Sequence, residues 1–374
     1  MPQKDKKPKS MKILHVTTSL RMGGAERLVS ELAPRFRDDG IDVDVLIFNG
    51  EETAFKQQLR QKGIRIIELN DGCYYKYFNP KHLFQLLPYL KRYDIVHTHN
   101  TAPQLFAALG GLLSRRTVLV TTEHSTSNRR RKSKCYAPVD RWLYGRYSKI
   151  ICISDKAAEN LKKHVHRDDS AICTIYNGID LGKFVSAAHD RDIVEKYGDC
   201  KRLFMVSRFG IAKDHKTVIR AMAQLPPEYH LFFVGDGSTR PSCEALADEL
   251  AVSDRVHFLG TRSDIAELLK SAHIAILSSH WEGMPLAAIE AMSARRPLIA
   301  SDVDGISETV EGAGVLFEHE NADDLAAKIK AVAEDEALYG EIADRCHARA
   351  QEYDISVTVK RYEELYRSLL EERA

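Results

Sequence analysis

Short apolar segments rich in β-forming residues alternate with helical patterns along almost the whole chain of 374 residues. The first segment is KILHVTTS, and the amphipathic segment AERLVSELAPRF follows it after a pair of glycines. Buried strands that alternate with helices are typical of a mostly parallel sheet covered by helices on both faces. Further strands of this first series are predicted at DVDVLIF, IRIIEL, DIVHTHN, TVLVTTEH, KIICIS and AICTIYNG.

A second series of strands begins after VSAAHDRD, a looser segment that resembles a connector. Because the chain is longer than one typical domain, a second sheet is expected. Its strands are predicted at RLFMVSRF, HLFFVGDG, VHFLG, IAILSS, PLIASD and GVLFE. The predicted fold class is therefore α/β, with two doubly wound Rossmann-like domains that face each other across a cleft. Ligands are expected in that cleft, at the carboxyl ends of the strands.

Domain boundaries follow from the same pattern. Residues 1–10 are basic, and no apolar segment of a secretory signal follows them, so a disordered leader is predicted. The two Rossmann-like domains are predicted at 11–185 and 186–354. The amphipathic C-terminal helix, 355–374, precedes no further strand and is expected to pack back on the first domain.

The composition excludes several classes of protein. The net charge is +1, which argues against nucleic-acid binding, because that function needs a strongly basic surface. No apolar run approaches the roughly 20 residues of a membrane-spanning helix. The seven cysteines are scattered and never spaced C-x-x-C, which predicts reduced thiols and no zinc site among them. The sequence therefore predicts a soluble cytoplasmic protein.

The segment HWEGMPLAAIEAM, residues 280–292, contains two glutamates that flank a predicted helix start. Glu282 is expected in the loop at the carboxyl end of the strand IAILSS, and Glu290 is expected on the following helix. Gly283 allows backbone to approach a ligand, and Pro285 suits a first helical turn. Taken alone, Glu290 is equally compatible with an ordinary exposed helix residue.

Free backbone amides are expected between the two glutamates, at Met284, Leu286 and Ala287. Amides at a helix start suit hydroxyls or phosphate oxygens. A pair of carboxylates also suggests a glycosidase, which needs the two groups on either side of one bond, roughly 5–9 Å apart. A loop carboxylate and a helix carboxylate beside phosphate-binding amides favour a nucleotide sugar instead.

Two cations lie in VSRFGIAKD, where Arg208 ends a predicted strand and Lys213 follows five residues later. Together they can neutralise a diphosphate leaving group, although either alone is equally compatible with a solvated surface charge. The turn VGDG contains Gly235 and Gly237. It does not continue as the dinucleotide fingerprint, because Arg240 occupies the position of the last glycine.

The first domain offers weaker signals. Gly23 and Gly24 form either a phosphate cradle or a tight turn between strand and helix, and Glu26 either contributes to a site or complements the helix dipole. The pair His97 and His99, in HTH, suggests a metal site, an acceptor contact for His99, or simple packing. The sequence indicates no further histidine cluster beside this pair, which argues against the metal.

The motifs GGAE, TEH, NGID, VSRFGIAKD, VGDG, HFLG and EGMPLAAIE resemble those of family-four retaining glycosyltransferases with the GT-B fold. The resemblance extends from about Met11 to the C-terminus. The glutamate pair joined to the Arg/Lys pair is its specific part, whereas the glycine turns are not specific. The resemblance implies that the first domain binds the acceptor and that the second binds a nucleotide sugar without a metal.

The resemblance also implies roles for individual residues. Arg208 and Lys213 hold the phosphates, and Glu290 binds the ribose. Glu282 and the neighbouring amides bind sugar hydroxyls, and His124 lies near the donor sugar. The nucleotide base lies against the backbone around Leu259 to Thr261. The implied catalytic residues are His124, Glu282, Arg208 and Lys213. The implied binding residues are Gly23, Gly24, Gly235, Leu259, Gly260, Thr261, Gly283, Met284, Pro285, Leu286 and Glu290.

The function expected from these features is transfer of a hexose or N-acetylhexosamine from a nucleoside diphosphate sugar, UDP-linked, to a glycan acceptor. The resemblance favours a lipid-linked acceptor in bacterial polysaccharide biosynthesis, and no cofactor is expected beyond the donor itself. The alternatives are a soluble transferase that makes a small glycoside, a sugar-nucleotide epimerase of the same fold, and a binding module without turnover. Sugar, base, linkage and oligomeric state stay open.

A basic segment, SNRRRKSK at 127–134, follows TEH, and the aromatic segments RWLYGRY and CYYKYFNP occur in the same domain. Basic and aromatic side chains together suit anionic lipid headgroups and a monotopic membrane surface. An ordinary solvated charge run with core aromatics is equally compatible. Peripheral contact with the inner face of the membrane is therefore an open alternative to a purely cytoplasmic location.

Overall fold

The computed structural model divides into two compact units. One comprises residues 1–178 together with 355–374, and the other comprises 179–354. The residues described are 11–21, 23–70, 77–114, 117–124, 136–167 and 169–373. The predicted leader, 1–10, lies outside them.

The first unit contains a seven-stranded sheet in the order β3-β2-β1-β4-β5-β6-β7, and all of its strand pairs are parallel. The strands are β1 (Lys12–Thr17), β2 (Asp42–Ile47), β3 (Arg65–Glu68), β4 (Ile95–His99), β5 (Val118–Glu123), β6 (Lys149–Cys152) and β7 (Ile172–Thr174). The helices are α1 (Gly24–Asp38), α2 (Ala54–Gln61), α3 (Lys81–Leu90), α4 (Thr101–Gly111), α5 (Ala137–Tyr144), α6 (Asp155–Val165) and the C-terminal α16 (Ile355–Glu371). A short 3₁₀ helix, Asp169–Ala171, precedes β7.

Successive side chains of each strand enter two different apolar clusters, because neighbouring residues of a strand face opposite sides of the sheet. Ile13 of β1 belongs to one cluster, and Leu14 belongs to the other. The cluster of Ile13 also contains Val359 and Tyr362 of α16. The C-terminal helix is therefore part of the core of the first unit.

The second unit contains a six-stranded parallel sheet in the order β10-β9-β8-β11-β12-β13. The strands are β8 (Lys201–Val206), β9 (Tyr229–Val234), β10 (Val256–Phe258), β11 (Ile274–Leu277), β12 (Leu298–Ser301) and β13 (Val315–Phe317). The helices are α7 (Leu181–Val185), α8 (Arg191–Tyr197), α9 (His215–Met222), α10 (Arg240–Glu249), α11 (Ile265–Ser271), α12 (Leu286–Ser293), α13 (Ser307–Val310), α14 (Ala322–Glu334) and α15 (Glu336–Gln351).

The segment before the second sheet belongs to the second unit. The first domain was predicted to end at residue 185, whereas the first unit ends at residue 178. The reason is that α7 packs against α11 and α12, with Leu181 and Phe184 buried. The predicted connector VSAAHDRD consequently runs from the end of α7 into α8.

Both sheets are doubly wound, and the strand order reverses between β1 and β4 and again between β8 and β11. Ligands of open α/β sheets bind outside the carboxyl ends of the strands at such switch points. In the second unit these ends lead into the segments that contain Arg208, Lys213 and Glu282. None of the helices in the described ranges has both the length and the apolar character needed to cross a bilayer.

Candidate active site

Lys213 and Glu282 meet at the switch point of the second unit, one from the segment after β8 and the other from the segment after β11. The Lys213 ammonium forms an ion pair with Glu282 Oε1, and Ser279 Oγ donates a hydrogen bond to the same oxygen at 3.0 Å. The two charged side chains are only 18% and 16% exposed. Because water screens such a pair incompletely, removing one partner leaves the other charge in an unfavourable environment.

The backbone holds these two segments together. Lys213 and Ser279 form a single antiparallel bridge, and the amide of Asp214 donates to the carbonyl of Ser278 at 3.1 Å. The sequence resemblance implied that Lys213 and Glu282 contact different parts of a ligand. It did not predict the contact between the two side chains, which lie 69 positions apart in the chain. Any ligand at this place meets a positioned cation and carboxylate together.

Arg208 lies two residues beyond β8, with a fixed backbone and an exposed side chain. The amide of Ser207 donates to Val234 O at 2.9 Å, and the amide of Phe209 donates to Asp236 O at 3.0 Å. Within the described part of the chain, the guanidinium has no hydrogen bond or ion pair. This side chain is therefore available for an anionic group.

Gly235 and Gly237 allow the segment after β9 to lie directly against the backbone around Arg208. A Cβ added to Gly235 would lie 2.1 Å from the carbonyl oxygen of Ser207. A Cβ added to Gly237 would lie 2.1 Å from the carbonyl oxygen of Phe209. Their φ angles, +140° and +153°, also disfavour other residues. Both glycines thus have a structural role in placing Arg208, whether or not Gly235 also contacts a ligand.

The start of α12 offers fewer free amides than expected. The Leu286 N–H donates to Met284 O at 3.0 Å, so the prediction of a free amide at Leu286 is wrong. The tight turn before the helix causes this, with Pro285 as the residue that immediately precedes α12. The amides of Gly283, Met284 and Ala287 have no hydrogen-bond partner among the described residues. Three donors therefore remain at this helix N-terminus.

Glu290 lies in the second turn of α12 and is half-buried, while Ala288, Ile289, Ala291 and Met292 around it are buried. The loop-and-helix arrangement of the two glutamates is therefore as predicted.

The predicted base-binding segment, Leu259 to Thr261, follows β10. The Leu259 amide donates to Phe233 O at 2.9 Å, and Gly260 O accepts from the Gly235 amide at 2.8 Å. Gly260 has a φ of +68°, a conformation that favours glycine, and Thr261 is exposed. This segment is thus hydrogen-bonded to the segment that packs against Arg208.

In the first unit, Gly23 immediately precedes α1 and Gly24 is its first residue. A Cβ on Gly23 would lie 2.3 Å from Glu26 Oε2, so the Glu26 carboxylate folds back over the helix start. Burial raises the pKa of Glu26, and hydrogen bonds from its own amide and from Asn100 partly offset this effect. A carboxylate of the chain already complements this helix dipole, which favours the tight-turn interpretation over a phosphate cradle.

Three histidines form a hydrogen-bonded chain through the first unit. His15 Nδ1 lies 3.0 Å from His99 Nε2, and His99 Nδ1 lies 3.0 Å from His124 Nε2. His15 is on β1, His99 ends β4, and His124 follows β5, which carries it to the carboxyl edge of the sheet. The expectation of no further histidine cluster was wrong, because the strand order brings His15 and His124 to His99. His99 is fully buried, which favours packing over an acceptor contact.

Burial keeps the three imidazole rings of this histidine chain neutral. It lowers the pKa of His15 to about 3 and that of His124 to about 4, and it holds the pKa of His99 well below its ordinary value. Each neutral ring carries one N–H, so both links of the chain must point in the same direction. Either His15 Nδ1 donates toward His124, or His124 Nε2 donates toward His15.

The two end residues of the histidine chain, His15 and His124, determine the direction in which its hydrogen bonds are donated. Within the described ranges, His15 Nε2 is buried without a partner, and an orphaned buried N–H is unfavourable. His124 Nδ1 is likewise buried without a partner among the described residues, but the His124 side chain as a whole is partly exposed, whereas that of His15 is fully buried. The N–H is therefore expected at His124 Nδ1, which makes His124 a hydrogen-bond donor and not a base.

His15→Leu removes the buried Nε2 that sets the direction of the hydrogen bonds in the histidine chain. We therefore expect His124 to become a mixture of both tautomers in this variant. Selective ¹⁵N labelling of histidine distinguishes protonated from unprotonated ring nitrogens, and His124→Asn identifies the signals. His97→Asn is the matched control, because His97 is equally buried but is not part of the histidine chain. A native His124 protonated at Nε2, or a tautomer unchanged by His15→Leu, would contradict the assignment.

His15, His97 and His99 are also close enough to hold a metal ion. However, His97 Nδ1 is 2.6 Å from the Tyr366 hydroxyl, and His97 Nε2 is 2.7 Å from Thr122 Oγ1. With both nitrogens of His97 and both of His99 engaged, a metal would have to displace existing hydrogen bonds. The trio is better described as a hydrogen-bonded core network.

The basic segment 127–134 lies outside the described residues, and so does the first half of the aromatic segment CYYKYFNP, residues 73–76. Phe78, from the end of that segment, is 59% exposed, and Trp142 on α5 is 38% exposed. The other described aromatic residues of the two segments are less exposed: Tyr77 is half-buried, and Tyr144 and Tyr147 are core residues of the first unit, as the alternative of core aromatics expects.

Comparison with known proteins identifies the class. The model of Glycosyltransferase Family 4 matches residues 22–183, and that of Glycosyl transferases group 1 matches residues 187–353. UDP-Gal:alpha-D-GlcNAc-diphosphoundecaprenol alpha-1,3-galactosyltransferase of Escherichia coli is 30% identical over 276 residues, which cover 69% of this chain and 71% of that protein. The chain is therefore a glycosyltransferase and belongs to glycosyltransferase family four, as the sequence resemblance predicted.

Two further comparisons agree with this class. N,N'-diacetylbacillosaminyl-diphospho-undecaprenol alpha-1,3-N-acetylgalactosaminyltransferase of Campylobacter jejuni is 31% identical over 226 residues, 58% of this chain and 59% of that protein. Anabaena HepE, solved in complex with UDP, superposes with a TM-score of 0.84 at 24% identity and covers 96% of this chain and 100% of that one. The structural match confirms the predicted fold class, two Rossmann-like units of the GT-B type.

Proposed function

We propose that this glycosyltransferase moves a hexose or N-acetylhexosamine from a UDP-sugar to a lipid-linked glycan, with retention of anomeric configuration and without a metal at the donor. The observation that carries the proposal is the group at the switch point of the second unit. There the exposed Arg208 accompanies the Lys213–Glu282 ion pair. The start of α12 adds three available amides.

The charges of this group suit the transfer reaction. Breaking the bond between the anomeric carbon and the phosphate oxygen leaves both electrons on the diphosphate. Positioned donors at the leaving oxygen contribute several kcal/mol to the stabilisation of such a transition state. Arg208 and Lys213 are the cations for that charge, while Glu282 both orients Lys213 and accepts from sugar hydroxyls. Glu290 is assigned to the ribose, and Leu259 to Thr261 are assigned to the base.

We assign no enzymic nucleophile. The acceptor hydroxyl attacks the anomeric carbon from the face that the phosphate leaves, and its proton passes to the departing phosphate oxygen. His124 is assigned to the donor sugar, as a hydrogen-bond donor through Nδ1. This arrangement retains the anomeric configuration and balances charge and protons without a further group.

Relatives support the donor and the acceptor. The names of the Escherichia coli and Campylobacter jejuni proteins both include a diphospho-undecaprenol acceptor, and the first includes UDP-galactose. The Anabaena structure contains UDP. We assign the transfer to the cytoplasmic face of a membrane. The basic sequence of residues 127–134 supports this location, and the exposed Phe78 and Trp142 are the described side chains that we assign to the membrane contact.

Calorimetric titration with UDP-, GDP- and ADP-sugars in the presence of a chelator tests the donor assignment. We expect one UDP-sugar to bind without metal. Removing a charge-assisted hydrogen bond should weaken binding about 10- to 100-fold in Arg208→Ala and in Glu290→Ala. Arg220→Ala, an exposed arginine on α9, is the control. If the folded protein binds no donor, or if the variants bind as the native chain does, the assignment is wrong.

A further inference from the structure

Three metal-ligating side chains converge in the second unit, outside the group assigned to the donor. His280 follows β11, while His319 and Glu320 follow β13, two strands away in the sheet. His280 Nδ1 lies 2.9 Å from His319 Nε2 and 3.2 Å from Glu320 Oε1. The three ligand atoms all lie within 4.8 Å of one another.

Hydrogen bonds alone account poorly for this convergence. His280 Nδ1 is the atom common to both short contacts, and it carries at most one proton. If Nδ1 is protonated and donates to the Glu320 carboxylate, no proton is left for its contact with His319 Nε2, unless the one N–H is shared between both acceptors. If Nδ1 instead accepts from His319 Nε2, its lone pair faces the Glu320 carboxylate. With neutral imidazoles, one of the two short contacts therefore lacks a proton of its own, and the lone pairs of the three groups are brought together with too few protons between them.

A single cation satisfies all three lone pairs. Donor atoms about 2.1 Å from one ion lie roughly 3.0–3.4 Å apart at tetrahedral or octahedral angles. His280 Nδ1 lies 2.9 Å from His319 Nε2 and 3.2 Å from Glu320 Oε1, which is close to that range. Two imidazoles with one carboxylate suit zinc and neighbouring transition metals, whereas Mg²⁺ and Ca²⁺ prefer oxygen ligands only.

The backbone at Glu320 is a second, independent observation. Its φ is +61°, in the left-handed region that glycine or asparagine adopts more readily than glutamate. The neighbouring residues stabilise this turn, because Asn321 Nδ2 donates to Glu318 Oε2 at 2.7 Å and the Asn321 side chain caps α14. A glutamate in a strained conformation, with its carboxylate 3.2 Å from one imidazole nitrogen and within 4.8 Å of a second, is an arrangement expected of a ligand.

We propose that His280, His319 and Glu320 bind one divalent transition-metal ion, such as Zn²⁺, and that water completes its coordination. The His280 and Glu320 side chains are 26% and 61% exposed, which leaves a route for the ion and positions for water. The site goes beyond the glycosyl transfer proposed above and supplies no step of it. Its role is to tie the segment after β13 to His280, two residues before Glu282.

Cobalt(II) titration of the full, tag-free chain after chelator treatment tests the site. We expect visible absorption bands from one bound Co²⁺, which Zn²⁺ displaces. The affinity should fall at least about 10-fold in His319→Ala and in Glu320→Gln. His347→Ala, a half-buried histidine on α15, is the matched control and should leave binding unchanged.

Glu320→Gly separates ligation from folding. This variant removes the carboxylate and also relieves the left-handed strain, so its metal-free Tm should be equal to or above that of the native chain. Its Co²⁺ binding should nevertheless be lost. If the native chain binds no Co²⁺ at micromolar concentration, or if Glu320→Gly and His319→Ala bind it as well as the native chain, the site does not exist.

Discussion

Lys213→Met is expected to lower kcat/KM for glycosyl transfer by about 10³-fold, which corresponds to roughly 4 kcal/mol of lost transition-state stabilisation. The substitution removes a cation assigned to the leaving diphosphate. It also leaves the Glu282 carboxylate, 16% exposed, with only the Ser279 hydroxyl as a described partner. The uncompensated negative charge then repels the diphosphate. Release of UDP in the presence of acceptor measures the effect, and Lys216→Met, exposed on α9, is the control.

The double variant Lys213→Met/Glu282→Gln separates these two causes. If repulsion by Glu282 dominates, the second substitution should restore part of the donor affinity lost in Lys213→Met. If the cation itself dominates, the double variant should bind and transfer no better than the single one. Near-native activity of Lys213→Met would instead remove Lys213 from the reaction and leave the ion pair with a structural role.

The strands were predictable because they are short and mostly apolar, and the central ones, β1, β4, β8 and β11, are buried on both faces. Thirteen segments were predicted, and sheets of seven and six strands contain them. The sequence positions of Arg208 and Glu282 relative to β8 and β11 followed from the same pattern. Their placement at the carboxyl ends of strands depends only on local order along the chain, which a single sequence shows directly.

The contacts between side chains were not predictable in the same way. Two contacts depend on which strands are neighbours in the sheet: the ion pair of Lys213 with Glu282 and the histidine chain from His15 to His124. The local pattern of apolar residues does not determine strand order, so these contacts could not be predicted. A signal for His15 did exist, since a histidine within the apolar strand KILHVTTS must find a polar partner when buried. The Leu286 amide is hydrogen-bonded because of the geometry of the turn before α12. Pro285 and Gly283 permit this geometry but do not determine it, so the sequence does not predict the bond.

Gly235→Ala is expected to destabilise the second unit by about 4 kcal/mol and to lower its Tm by about 10 °C. The new methyl group would lie 2.1 Å from the carbonyl oxygen of Ser207, at a φ of +140° that alanine disfavours. Neither backbone segment can move easily, because the amides of Ser207 and Gly235 are both hydrogen-bonded to neighbouring segments. Calorimetric unfolding measures the change.

Gly340→Ala is the control with the opposite expected sign, because this exposed glycine lies within α15 and a Cβ there meets nothing within 4 Å. Alanine in a helix interior is favoured over glycine by roughly 0.5–1 kcal/mol, so the Tm should rise slightly. The comparison also separates two roles of Gly235. A variant with native Tm that no longer binds UDP would make Gly235 a contact of the donor. A large loss of Tm would make it the residue that lets the segment after β9 lie close enough to place Arg208.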